Sequence, residues 1–243
     1  MGDLCLFKDS TGVRGCAVMA VSLSLVSWLR TCLFRAARWG GPTRVLFGGG
    51  IREPDDSFYV GRRREPNVVV EMGYVRPRPR LLAALADWTA PVGPARVSIA
   101  LSIDIDTPAG TPPGIEVMMQ LEGQQRPSVT ISCGAGSGCR SWALYDYTLF
   151  VPLAGVLYGA PRLTWVLAHV WLAVFVPLYS VTWGVLYAAL DLLYGRRTIL
   201  GVASACLRSL RGPWWGVVPL DTFKVRRVVF WELGVQHRIH TSC

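Results

Sequence analysis

The stretch Arg96–Asp106, RVSIALSIDID, decides the fold. Val97, Ile99, Leu101, Ile103 and Ile105 are apolar. Arg96, Ser98, Ser102, Asp104 and Asp106 between them are polar, and the alternation yields only at Ala100. Successive side chains of a strand point to opposite faces, so this pattern predicts a strand with one buried and one wetter face. A turn-rich loop, TPAGTPPG, follows, and Ile115–Glu122 alternates again through Ile115, Val117, Met119 and Leu121. Ser128–Ser132 is a third short piece, and Asn67–Val70 lies upstream. Together they predict an antiparallel meander of three or four strands, small and sandwich-like. It is too small to close as a barrel and needs a helix, a membrane surface or another copy to cover its apolar face.

The longest apolar stretch is Leu163–Leu190, LTWVLAHVWLAVFVPLYSVTWGVLYAAL, 28 residues without a formal charge when His169 is neutral. As a helix it spans ~42 Å, against a hydrocarbon core of about 30 Å. Ser141–Ala160 is apolar apart from Asp146, and Pro161–Arg162 separates the two. The expectation is a hydrophobic helical hairpin in a membrane, kinked at Pro177. Trp171, Phe175, Tyr179, Trp183 and Tyr187 advance by four and join Trp165 in an aromatic stripe, a candidate lipid-binding surface. Cys16–Leu29 is a shorter apolar run, and Ser27–Trp39 reads as amphipathic, with Arg30, Arg35 and Arg38 on one side.

Only 17% of the 243 residues are charged, the mean hydropathy is +0.35 and the net charge is +9. A soluble domain carries nearer ~25% charge, which also favours membrane residence. Twenty-three of the 25 basic residues are arginine. Arg62, Arg63, Arg64, Arg196 and Arg197 flank apolar segments, as contacts to anionic phospholipid would. No nucleic-acid motif accompanies them, so nucleic acid is not an expected partner. The alternative for Arg62–Arg64 is a solvated charge cluster.

No catalytic constellation is present, and neither a metal site nor a cofactor is expected. GAGSGCRS lacks the lysine and spacing of a phosphate loop. Asp104 and Asp106, His237, His240 and Cys243 carry ligand-type side chains without a complete ligand set. His169 is better read as a neutral helix-interface residue than as a proton relay. Seven scattered cysteines make no disulfide framework, although Cys133 and Cys139 bracket a glycine-rich loop and form a candidate disulfide in an oxidising compartment.

The run GPARVSIALSIDIDTPAGTPPGIEVMMQL resembles the lumenal domain of the seipin family. Arg96 and Val97 open a strand, Pro108 lies in the loop and Gly114 leads the next strand, as in that family. PNVVVEMG is similar to its preceding strand, and Cys139-Arg140-Ser141 followed by Tyr145 resembles the motif before its hydrophobic helix. The similarity covers roughly residues 66–160. The family's asparagine and phenylalanine around the glycine are replaced by Pro113 and by Ile115 or Glu116. The resemblance implies an endoplasmic-reticulum oligomer at lipid droplets that binds anionic phospholipid and gathers neutral lipid. Topology pulls the other way: residues 30–80 hold 11 arginines and 81–195 only four, which assigns the first segment to the cytosol.

These readings divide the chain into a membrane-associated segment at 1–39, a basic Gly/Pro-rich connector at 40–65, an antiparallel β domain at 66–140, a hydrophobic hairpin or transmembrane region at 141–196, and a basic amphipathic tail with a strand at 197–243. The expected class is an α+β membrane protein. Its expected function is non-enzymatic lipid binding or organisation with a seipin-like role in droplet formation, as an integral membrane homo-oligomer. The alternative is a structural or assembly subunit of a larger membrane complex.

Overall fold

The computed structural model describes residues 2–33, 37–47, 50–74, 77–90, 97–107, 113–137, 147–193 and 216–234. At its centre is a mixed sheet of six strands in the order β1-β4-β5-β6-β7-β8. The strands are β1 (Ala37–Trp39), β4 (Asp56–Val60), β5 (Val68–Tyr74), β6 (Ile99–Asp106), β7 (Gly114–Leu121) and β8 (Val129–Ser132). A separate pair, β2 (Val45–Phe47) and β3 (Gly50–Arg52), forms a hairpin.

The alternation in 96–106 does what its period requires. Ile99, Leu101, Ile103 and Ile105 enter one core, while Ala100 lies in another on the opposite face. β6 and β7 are antiparallel in a register that sets Ile103 against Val117 and Asp104 against Glu116, and β7 and β8 continue the antiparallel pattern. The expected meander is therefore present, but it is half of a larger sheet. β5 and β6 run parallel, with Val70 opposite Leu101. Parallel neighbours need a crossover, and helix α2 (Arg78–Trp88) supplies it. Leu81, Leu85 and Trp88, at i, i+4 and i+7, bury one face of α2 against Val69, Ala100 and Met118. Proline is tolerated in a helix's first turn because those N–H groups lack intrahelical partners anyway, so Pro77 at the N-cap and Pro79 in the first turn are compatible with this helix.

The other face of the sheet is covered by α1 (Gly2–Leu33), α5 (Thr222–Glu232), the pair β9 (Thr148–Pro152) and β10 (Val217–Asp221), short α3 (Leu153–Val156) and part of α4 (Arg162–Leu193). The apolar run at 16–29 lies inside α1. Val13, Ala17, Val21 and Leu25, four residues apart, are buried in the larger core. Polar groups fix the helix in place. Arg14 pairs with Asp55, whose carboxylate also accepts from Met72 N at 2.7 Å. Ser22 donates to buried Asp56, which accepts from Trp39 Nε1 at 2.6 Å as well.

These observations correct the membrane part of the expected fold class. Among the described residues no helix is long and apolar enough to cross a membrane. The first arm of the supposed hairpin is strand β9 followed by the single turn of α3, antiparallel to β10. Residues 37–39 are a strand rather than the end of an amphipathic helix. An apolar run is only a surface seeking cover, and in α1 and on one side of α4 protein atoms provide it. The expected C-terminal strand at 223–233 is also corrected. Asp221 accepts from Phe223 N at 2.9 Å and caps α5, whose buried residues Thr222, Val225, Arg226, Val229 and Phe230 follow helical spacing. Residues 141–146, including Asp146, and the amphipathic segment expected at 197–210 lie outside the described residues.

Candidate functional site

Helix α4 leaves the body of the protein with two unlike faces. Ala168 and Leu172 are fully buried, and Trp165 and Trp171 pack beside them against the core. On the opposite side Leu163, Val166, Val170, Val174 and Leu178 are each 50–69% exposed, and Leu167 and Val185 continue the strip. Single exposed apolar residues are ordinary, but a contiguous row over several turns marks a surface that something covers.

The expected aromatic stripe divides along this boundary. Trp165 stacks on His169 with ring centroids 4.5 Å apart, and Trp171 stacks on Phe175 at 3.7 Å. Trp165 and Trp171 face the protein, and of the described members only Phe175 is exposed. The side chains of Tyr179, Trp183 and Tyr187 lie outside the described residues. The outward face is instead aliphatic, made of residues that the sequence reading passed over. Their spacing at 163, 166/167, 170 and 174 was the available signal. His169 Nδ1 is 2.9 Å from the Trp165 carbonyl. A carbonyl only accepts, so Nδ1 carries a hydrogen there, and the ring is a packing and hydrogen-bonding element.

The run Arg62–Arg64 is also split. Arg63 is built into the structure: it pairs with Glu65 at 3.8 Å, its guanidinium lies 4.8 Å from the Tyr158 ring centre, and its carbonyl accepts from Arg38 Nη2 at 3.0 Å. Arg62 and Arg64 on either side are exposed and have no acidic partner among the described residues. Arg196 and Arg197 lie outside the described residues, as does Cys139; Cys133 is fully buried.

Acid–base groups elsewhere have structural surroundings. Cys16 Sγ donates to Glu232 Oε1 at 3.4 Å, and loss of hydration, that hydrogen bond and the nearby negative charge raise its pKa above the ordinary thiol value. A thiol held protonated is a poor nucleophile. Among the described residues no cluster of three or more His, Cys, Asp or Glu is placed to hold a metal. Asp104 faces Glu116 across the strand pair, and Arg78 at the start of α2 binds Glu116 at 2.7 Å.

Burial raises the Asp104 pKa, Arg78 pulls it down, and Glu116 and Asp106 push it up. The folded state thus holds this proton more tightly than the unfolded chain does. Stability falls as pH rises from the ordinary carboxylate value through the raised folded value, and the whole penalty is present at neutral pH. Asp104→Asn is expected to raise the thermal midpoint at pH 7, with the advantage vanishing below the ordinary carboxylate range near pH ~4. Calorimetry of both proteins across that range checks it, and an equal offset at every pH would contradict it.

Comparison with known proteins adds no relative: no family model, no curated protein and no solved structure matches the chain. The fold and site by themselves define an α+β protein with a mixed six-stranded sheet and a long helix, α4, whose aliphatic face is exposed among the described residues.

Proposed function

We propose that this protein engages membrane lipid from the bilayer surface, in a non-enzymatic binding or organising role, through the exposed aliphatic face of α4. The observation that carries the reading is the row Leu163, Val166, Val170, Val174 and Leu178, uncharged and exposed beside a core-facing side that fixes the helix. Transfer of apolar surface out of water contributes about 25 cal/mol per Å², so several half-exposed Leu and Val side chains supply a few kcal/mol. That suits a reversible interfacial attachment rather than a span. The seipin resemblance points to the same class of ligand by a separate route.

A second reading is favoured by one feature of the row. Residues 163, 167, 170 and 174 are spaced four, three and four apart, the interval of a helix–helix seam. In that case the face receives another protein chain, and the molecule is an assembly subunit of a larger complex. Flotation with phosphatidylcholine vesicles separates the two. Lipid engagement predicts that the protein rises with the vesicles as a discrete species. A protein that stays at the bottom of the gradient, and elutes as a stable multimer whose α4 faces are cross-linkable, would replace the lipid reading with the assembly reading.

A further inference from the structure

The turn that carries Arg62 and Arg64 packs against the Tyr158–Gly159 turn that leads into α4. Three contacts make them one surface. Asn67 Nδ2 donates to the Tyr158 carbonyl at 2.8 Å, and Arg63 lies over the Tyr158 ring. Gly61 and Gly159, both with positive φ, approach so closely that a Cβ on Gly61 would stand 3.3 Å from the Gly159 carbonyl and one on Gly159 would stand 3.0 Å from Arg63 Cδ. The closeness of these two loops therefore depends on glycine at both positions. Arg162 follows three residues after Gly159, and Leu163, the first residue of the apolar strip, comes next.

Charge is distributed unevenly at this junction. Elsewhere Arg14, Arg44, Arg52 and Arg78 have acidic partners, while Arg80 and Arg126 are exposed without one among the described residues. Here Glu65 is taken by Arg63. Arg62, Arg64 and Arg162 are exposed without an acidic partner among the described residues, and Arg38 is held beside them by its bond to the Arg63 carbonyl.

We infer that this rim of Arg62, Arg64 and Arg162, supported by Arg38, receives the phosphate-bearing head groups of anionic phospholipid where the α4 strip enters the bilayer surface. The inference rests on the lipid reading of α4 and adds the charge of the surface that α4 selects. Guanidinium groups match phosphate geometry and shed water more readily than ammonium groups do. An aliphatic strip with a cationic rim at one end is complementary to an interface whose outer layer is anionic and whose interior is apolar.

The test is flotation of the full chain with vesicles of phosphatidylcholine alone and of phosphatidylcholine mixed with phosphatidylserine. The readout is the ratio of the two affinities. The wild-type protein prefers the anionic vesicles, and the preference shrinks as salt rises. The triple variant Arg62→Gln/Arg64→Gln/Arg162→Gln loses about a hundredfold of affinity for the anionic vesicles. Arg80→Gln, which removes one exposed charge from α2 on the far side of the sheet, keeps the wild-type ratio. Equal wild-type affinity for the two vesicles overturns the rim and leaves the lipid reading of α4 standing. No flotation with either vesicle overturns both. Release by inorganic phosphate that chloride at equal ionic strength does not reproduce assigns the rim to a free anion and overturns the lipid source.

Discussion

Replacing Val170 and Val174 with glutamate is expected to abolish flotation with vesicles while leaving the fold intact. Both side chains are at least half exposed on α4 and outside the packed cores, so the folded state loses almost nothing. Glutamate is also a good helix former, which keeps backbone propensity out of the comparison. At a bilayer surface the balance reverses. Each valine forfeits roughly 1.5 kcal/mol of apolar transfer, and each carboxylate must stay hydrated where the strip should sink. The combined loss of about 3 kcal/mol lowers the partition coefficient roughly a hundredfold. Circular dichroism and thermal midpoints equal to wild type, together with loss of flotation, are the expected result. Full retention of vesicle binding by a folded double variant would remove α4 from the interaction. If the face instead receives a protein chain, the same substitutions convert a multimer into a monomer, and sizing by light scattering detects it.

The second large effect lies in the loop after β8. Gly134 sits where a Cβ would be 2.6 Å from Ile115 N, 2.8 Å from Gly114 Cα and 2.9 Å from the Pro113 carbonyl. All three are backbone atoms at the start of β7, and they are fixed by the ladder to β6 and by the Cys133 N to Ile115 carbonyl hydrogen bond of 2.8 Å. Nothing flexible can yield, so Gly134→Ala is expected to cost about 3 kcal/mol, the upper end of overpacking. In a chain of this size that lowers the thermal midpoint by roughly 8 °C. Gly15→Ala is the internal contrast. Gly15 is exposed in α1, a Cβ there meets nothing within 4 Å, and its φ is ordinary for a helix. Alanine removes freedom from the unfolded chain and is expected to stabilise by about 1 kcal/mol. Urea unfolding of the pair checks both signs; a neutral Gly134→Ala would mean that the loop is not held against β7.

The elements legible in the sequence are those whose period is local. β6 and β7 are readable because alternation of apolar residues is itself the physical cause of a one-sided strand. Leu81, Leu85 and Trp88 carried a helical signal of the same kind, hidden by the prolines at 77 and 79 that belong to the start of α2. α5 was misread because Phe223, Val225, Val228, Val229 and Phe230 have strand propensity, while burial at 222, 225, 226, 229 and 230 follows the helical period. Propensity is a weak prior that packing and an aspartate cap override. The candidate site shows the same limits. The aromatics of α4 were conspicuous by type, yet Trp165 and Trp171 went inward and the aliphatic residues between them went outward. Arg63 was indistinguishable from Arg62 and Arg64 until Tyr158 and Glu65 were placed beside it.

By itself, the sequence determined which segments have a face to hide: two alternating strands, a 28-residue uncharged stretch and an apolar run near the N-terminus. It could not determine what hides them, because the free energy of removing apolar surface from water is nearly indifferent to whether lipid or protein provides the cover. Only the tertiary structure decided that. It laid α1 on the sheet through Val13, Ala17, Val21 and Leu25, with Asp55 and Asp56 as polar fastenings. It made β5 and β6 parallel by passing the chain through α2. It also left one side of α4 exposed among the described residues, and it packed the turn of Arg62–Arg64 against Tyr158, about a hundred residues later. Strand direction, partner choice and the meeting of distant loops depend on long-range contacts whose chemistry is the same in many arrangements, and only packing them together selects one.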